Sequence, residues 1–245
     1  MNKYEKKFDI PHFDLDDGDS PEDVARKTRQ YLNIRRGPVD NLVKLLEKNG
    51  VIIVPFVFET TKMDGISMYT DAGQPVIFIN KEASNDRKRF TIGHELGHLL
   101  MHIPFTILNS RDVENEADRF SAEFNFPALE AKIELSRLTF SKLPNIKRYW
   151  KMSMAFIIMR AKTLKKITPS KATNLMIELS RRGYRKKEPI NVELDKPKLL
   201  RQMIHVHLKQ LNYTHKELAD MLCVNESVLK ELVTDDNIVK LRIVQ

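Results

Sequence analysis

An α+β architecture is expected for this chain: a mixed lobe with a small sheet up to about residue 130, followed by a mostly α-helical lobe. Runs rich in β-branched and aromatic residues fall between residues 51 and 80, and two of them flank a turn sequence. From Pro127 onward the apolar spacing is helical. Of the 245 residues 42% are hydrophobic and 30% charged, a globular balance that argues against global disorder. The expected organisation is a flexible acidic lead at 1–19, a mixed domain at 20–130 and a helical domain at 131–245.

Each element has a local reason. Ser20-Pro21-Glu22-Asp23 reads as a helix start: a hydroxyl cap, Pro at the first helical position, then acids at the positive end of the dipole. This helix reaches about Asn33 and is broken by Arg36-Gly37-Pro38. Residues 38–50, PVDNLVKLLEKNG, form a second helix with Leu42, Leu45 and Leu46 on one face and Gly50 stopping it. VIIVPFVF (51–58) is a strand, and GISMYTD (65–71) and PVIFIN (75–80) flank Ala72-Gly73-Gln74 as a β-hairpin. Helical spacing returns from Ser84 to about His102. After a loop at 103–109, Ser110 caps a helix to about Asn125, ended by Phe126-Pro127. Further helices are expected near 128–136, 140–166, 170–182, 196–211, 214–222 and 226–233, with Pro144 and Ser153 as interruptions and Gly183 as a C-cap. A short strand, IVKLRIV (238–244), closes the chain.

Composition excludes several classes. Eight Gly and eleven Pro rule out collagen-like repeats. No apolar run approaches the roughly eighteen residues of a membrane span. The charged N-terminus lacks the apolar core of a secretory signal. A single cysteine, Cys223, cannot form an internal disulfide or a Cys-rich zinc site. A cytoplasmic protein without membrane contact is expected. The net charge is +8, yet residues 141–187 hold fourteen Lys/Arg against one acid, Glu178, so that segment nets +13 and the remainder −5. Such asymmetry points to an acidic partner, a protein or nucleic acid, with solvated helix faces as the alternative.

The chemistry is concentrated in RFTIGHELGHLLMH (89–102). His94-Glu95-Leu96-Gly97-His98 is an H-E-x-x-H on a predicted helix. Four residues is just over one turn, so His94 and His98 project from one face and can meet at one ion. Zinc is favoured, because two neutral imidazoles plus a carboxylate leave a fourth position for water. Glu95 is the general base and not a ligand. Ile92, Leu96, Leu99 and Leu100 lie opposite the histidines and can bury. Gly93 and Gly97 cost helix propensity, so something is expected to pack closely there.

His102 fails as third ligand, since about 12 Å of helix rise separates it from His94. It reads as a substrate-facing or outer residue, or as a helix-end histidine favoured by the dipole. The next helix offers Glu114 beside Asp118 on the flank of an apolar stripe of Val113, Ala117, Phe120 and Phe124. Glu114 is the expected ligand, and Asp118 the acceptor of an N–H from a liganding histidine. Glu116, with Asp112, Arg119 and Glu123, reads as solvated surface and is the fallback ligand. Tyr69, His102 and Tyr149 are candidates for assisting the metal at the oxyanion.

Taken together, RFTIGHELGHLLMH, ENEADRFSAEFNFP and the upstream hairpin GQPVIFIN resemble the ImmA/IrrE family of zinc-dependent metallopeptidases. Ser121 stands where that family usually has Ala, and Asn125 where it usually has an apolar residue. PVDNLVKLLEKNGVIIV is similar to the family's first helix and strand, and IELSRRGYRKKEP to a segment of longer members that carry a helix-turn-helix domain in front of the peptidase. The resemblance implies a zincin-like lobe and a regulatory endopeptidase that cleaves a transcriptional repressor in a stress or mobile-element switch. The alternative is a transcription-regulatory or interaction module with a non-proteolytic metal site. It further implies that PVIFIN is a sheet edge to which substrate adds as a strand, through Val76, Ile77, Phe78, Ile79 and Asn80. Arg181, Arg182, Arg185, Lys186 and Lys187 would meet an acidic partner or phosphate. Residues 208–233 have the look of a helix-turn-helix, but Glu226 and Glu231 beside Asn225 and Lys230 make a poor base reader, so packing or dimerisation competes with DNA binding there.

Overall fold

The computed structural model describes residues 10–58, 63–105, 111–185, 187–222 and 225–233. They form two compact units that interleave along the sequence: Val43–Ala83 with Asp195 onward, and Ile10–Leu42 with Ser84–Leu194.

The first unit carries the sheet. Strands β1 (Ile52–Phe56), β2 (Gly65–Tyr69) and β3 (Pro75–Asn80) stand in the order β1-β3-β2. The expected hairpin is present: β2 pairs antiparallel with β3, Gly65 opposite Ile79 and Tyr69 opposite Pro75. Gly73 turns it with φ of 75°, a left-handed conformation that glycine adopts at little cost. β1 pairs parallel with β3 from Ile52–Val76 to Phe56–Asn80. This corrects the expectation for Val76, Ile77, Phe78, Ile79 and Asn80. They lie on the central strand, paired on both sides, so they offer no free edge to a substrate strand. A parallel partner arrives by a crossover that periodicity does not reveal.

Ile52, Val54 and Val76 bury one sheet face against Leu199 and Leu200 of helix α9 (Leu199–Lys209). The short α2 (Leu42–Lys48) supports that helix: Glu47 accepts from the N–H groups of Lys198 and Leu199 at 2.7 and 2.8 Å. Helices α10 (His215–Met221) and α11 (Glu226–Val233) follow, with Ile204, Leu218, Ala219 and Leu229 as their shared core. Leu222 is exposed. Cys223 and Val224, at the turn of the helix-turn-helix-like segment, and the terminal run IVKLRIV lie outside the described residues.

The second unit is helical: α1 (Pro21–Tyr31), α3 (Asn85–Met101), α4 (Val113–Asn125), α5 (Ala128–Glu134), α6 (Leu143–Trp150), α7 (Met154–Thr163) and α8 (Pro169–Arg181). The start of α1 is a full capping box between Ser20 and Asp23. Asp112 caps α4 by accepting from Asn115 N–H at 3.1 Å; Ser110, the expected cap, lies outside the described residues. Pro144 sits in the first turn of α6, and Ser153 caps α7. Residues 10–19 are not a loose lead. Ile10 is buried, Leu15–Asp17 form a 3₁₀ turn, and Phe13 N–H donates to Leu100 O at 2.9 Å.

No division falls near residue 130. One core runs from Phe126 through Leu135, Leu143, Trp150 and Ile157 to Leu179, so α5–α8 belong with α3 and α4. Phe126 stacks on Trp150 with ring centroids 4.1 Å apart. Buried charges are neutralised inside this unit. Lys147 pairs with Asp86 and Glu188, and Arg160 with Glu123, while Arg29 donates to Phe124 O and Gly37 O. Glu123, read from sequence as solvated, is therefore buried: two arginines and the Ala128 N–H satisfy it. Among the described residues no helix is long and apolar enough to cross a membrane.

The contact of α3 with α4 explains the two glycines. Ile92, Leu96, Leu99 and Leu100 of α3 and Ala117, Phe120 and Phe124 of α4 are all fully buried. A Cβ on Gly93 would stand 2.6 Å from Asn125 Nδ2 and 2.7 Å from Ser121 Oγ, and one on Gly97 would stand 3.1 Å from the Phe120 ring. Ser121 is not free to yield, because its hydroxyl donates to Phe90 O at 2.7 Å. Gly93→Ala is therefore expected to lower unfolding free energy. Overpacking costs about 1–3 kcal/mol, and the roughly 1 kcal/mol gain in helix propensity offsets only part of it. A urea melt checks this, and an unchanged or raised midpoint would show that α4 can back away.

Candidate metal centre

The two helices of that seam bring three donor groups together. On α3, His94 and His98 face each other with Nε2 atoms 3.0 Å apart. From the first turn of α4, Glu114 places Oε2 at 3.3 Å from His94 Nε2 and Oε1 at 3.4 Å from His98 Nε2. All three groups offer donor atoms within 4.8 Å of one another. The imidazoles are about 15% exposed and the Glu114 carboxylate 73%, so the centre has a walled side and an open side.

The outer nitrogens are also engaged. His94 Nδ1 lies 2.8 Å from Asp118 Oδ1, one turn after Glu114. His102 Nδ1 lies 2.9 Å from His98 Nδ1, and His102 Nε2 lies 3.0 Å from Glu116 Oε2. Arg111 donates to the same Glu116 carboxylate at 2.8 and 3.2 Å. His102 is thus buried, held between His98 and Glu116. Glu116 is no solvated surface acid; it points to His102 and not to the converging Nε2 atoms. The three histidines spaced by four residues are the signal: at that spacing each ring meets the next edge-on, with centroids 4.7 and 4.9 Å apart.

Electrostatics distinguish the two inner rings. Burial, and then the neighbouring His94 and His102, push His98 down to about 3, so it is neutral over the physiological range. Burial also pulls His94 down, but its hydrogen bond to Asp118 and the charges of Glu95, Asp118 and Glu114 outweigh that and raise it. Glu95 itself is buried, 7% exposed.

The donor set fits a zinc ion. Two imidazole nitrogens and a carboxylate are its common ligands at about 2.0–2.2 Å, for which tetrahedral donors stand roughly 3.3 Å apart. The distances between the imidazole nitrogens and from them to Glu114 are 3.0 to 3.4 Å. With His94 Nδ1–H directed at Asp118, its Nε2 presents a lone pair toward the other donors.

Other expected residues stand elsewhere. Tyr69 is on β2. Tyr149 is exposed, edge-on to Trp150 at 5.4 Å. Arg181 and Arg185, with Lys162, rim an open groove of about 400 Å³ between α7 and α8, floored by Met159, Met176 and Ile177. Arg182 is committed to Glu178 at 2.7 Å and lies 4.7 Å over the Phe140 ring. Lys187 is exposed, and Lys186 lies outside the described residues.

A helix-borne H-E-x-x-H meeting a carboxylate from the following helix defines a metallopeptidase-like domain. Residues 50–162 match a peptidase-family model described as the IrrE N-terminal-like domain, consistent with the resemblance to the ImmA/IrrE family. No curated protein matches the chain.

Protein purified without chelator should carry close to one zinc per chain, and Glu114→Ala should lose most of it on gel filtration. Metal analysis reads both. Full occupancy in Glu114→Ala would place the ion elsewhere.

Proposed function

We propose that this protein is a zinc-dependent endopeptidase that hydrolyses a peptide bond in a protein target, and that the target is a transcriptional repressor held in a stress or mobile-element switch in the cytoplasm. The observation that carries the reading is the convergence of His94, His98 and Glu114 beside a buried Glu95. The repressor assignment rests on the family resemblance.

His94, His98 and Glu114 would hold the ion, which when bound supplies a Lewis acid for the scissile carbonyl and acidifies water. Glu95 follows His94 directly, about a quarter-turn round the helix. Its carboxylate accepts the proton of the attacking water as the water oxygen adds to the carbonyl carbon. It then delivers that proton to the leaving amide nitrogen as the C–N bond breaks. The buried setting of Glu95 strengthens its charge interactions relative to bulk water. A site that only bound metal for structure would need the three ligands and no such base.

Two experiments test this. Glu95→Gln should keep zinc and fold, yet lose at least about 100-fold of cleavage, the scale of a general base; co-expression with a partner repressor, read by immunoblot, checks it. Equal disappearance of the repressor with Glu95→Gln would favour a non-proteolytic interaction module. The cationic rim of the α7–α8 groove supports an acidic docking region on the target. Arg181→Glu with Arg185→Glu should slow association and flatten its salt dependence while zinc content stays unchanged. Unaltered association at low salt would make that rim a solvated surface.

A further inference from the structure

The histidine stripe of α3 has three members, but only His94 and His98 converge with Glu114. The third, His102, is buried to 5% exposure and touches no donor of the centre except His98. We propose that His102 and Glu116 are positioning residues, a carboxylate–imidazole relay that fixes His98 in the tautomer protonated at Nδ1 and so turns its Nε2 lone pair toward His94 and Glu114. This rests on the metal-centre reading above.

Counting hydrogens along the chain of contacts gives the direction. A neutral imidazole carries one N–H and one acceptor nitrogen. Glu116 is held by two Arg111 nitrogens and acts as an acceptor only, so the His102 nitrogen 3.0 Å away presents N–H to it. That places the N–H of His102 on Nε2 and leaves Nδ1 bare. His98 Nδ1, 2.9 Å from that bare nitrogen, then carries the hydrogen, because two lone pairs at this distance repel. His98 Nε2 is left unprotonated, 3.0 Å from His94 Nε2, so that both lone pairs point to the space where a bound cation would relieve their repulsion. Asp118 imposes the same state on His94 through one carboxylate. The two ligands are thus oriented from opposite flanks of α4: Asp118 sits on the Glu114 side, Glu116 on the other. Arg111 stands at the outer end of the relay and also lies 3.6 Å from Asp16, so the 3₁₀ turn near the N-terminus closes the network.

Metal-free protein labelled with ¹⁵N-histidine tests the relay without any catalytic readout. Wild-type His98 should show a protonated, pyrrole-type Nδ1 and a pyridine-type Nε2. His102→Leu should abolish that preference, and His102→Gln, whose amide oxygen can accept from Nδ1–H, should restore it. In chelator competition His102→Leu and Glu116→Ala should each lose about 10–100-fold in zinc affinity. Their double variant should lose no more than the worse single, since both act through one nitrogen. Thermal melts of the metal-free variants confirm folding, and Glu116→Ala serves should His102→Leu not fold. A pyridine-type Nδ1 in wild-type His98, wild-type zinc affinity in the folded variants, or additive losses would overturn the relay. Wild-type protein that binds no zinc but shows the pyrrole-type Nδ1 would overturn the metal centre and uphold the relay.

Discussion

Gly93 and Gly97 lie four residues apart on α3, where any side chain would collide with Ser121, Asn125 and Phe120 of α4. The closeness of that approach sets the distance from which Glu114 and Asp118 reach the histidines. If α4 stood further off, the three donors could not share one ion, since metal–ligand bonds tolerate only a few tenths of an ångström. Ser121 and Asn125 both pack on Gly93, and Ser121 Oγ also bonds to Phe90 O, which ties α4 to α3 along the same seam.

Burial of charge secures the scaffold around that seam. Lys147 on α6 reaches Asp86 in the first turn of α3, and Arg160 on α7 reaches Glu123 on α4. Lys147 meets two carboxylates, and Arg160 meets a carboxylate and Phe126 O, which is the condition under which such groups are tolerated inside a protein. Removing one member would leave its partner charged and buried, a far larger cost than the pair's own net worth. The helical bundle α5–α8 thereby braces both helices of the site, and the basic groove of α7 and α8 belongs to the same unit as the metal centre.

Much of this was legible in the residues. The capping box at Ser20, the hairpin around Gly73 and the two-histidine face of α3 follow from local rules, and Glu114 was distinguished from Glu116 by its flank on a helical wheel. What local rules could not supply was long-range pairing. β3 reads as an edge strand until β1 arrives parallel on its other side. Glu123 reads as solvated until Arg160, 37 residues later, neutralises it. His102 was excluded as a ligand by helix rise, but its contact with Glu116 depends on how α4 packs. The division near residue 130 failed for the same reason: the core from Phe126 to Leu179 spans it, and the units are assembled from non-contiguous segments.

The central claim is that one zinc ion is held by His94, His98 and Glu114 at the α3–α4 seam. Diffraction from crystals of the zinc-loaded protein, recorded on both sides of the zinc absorption edge, tests it most directly. The account predicts a single strong anomalous peak within bonding distance of both Nε2 atoms and the Glu114 carboxylate, with Asp118 and His102 outside that sphere. A peak bonded to Glu116 or His102, or none at the seam in crystals shown to contain zinc, would contradict it.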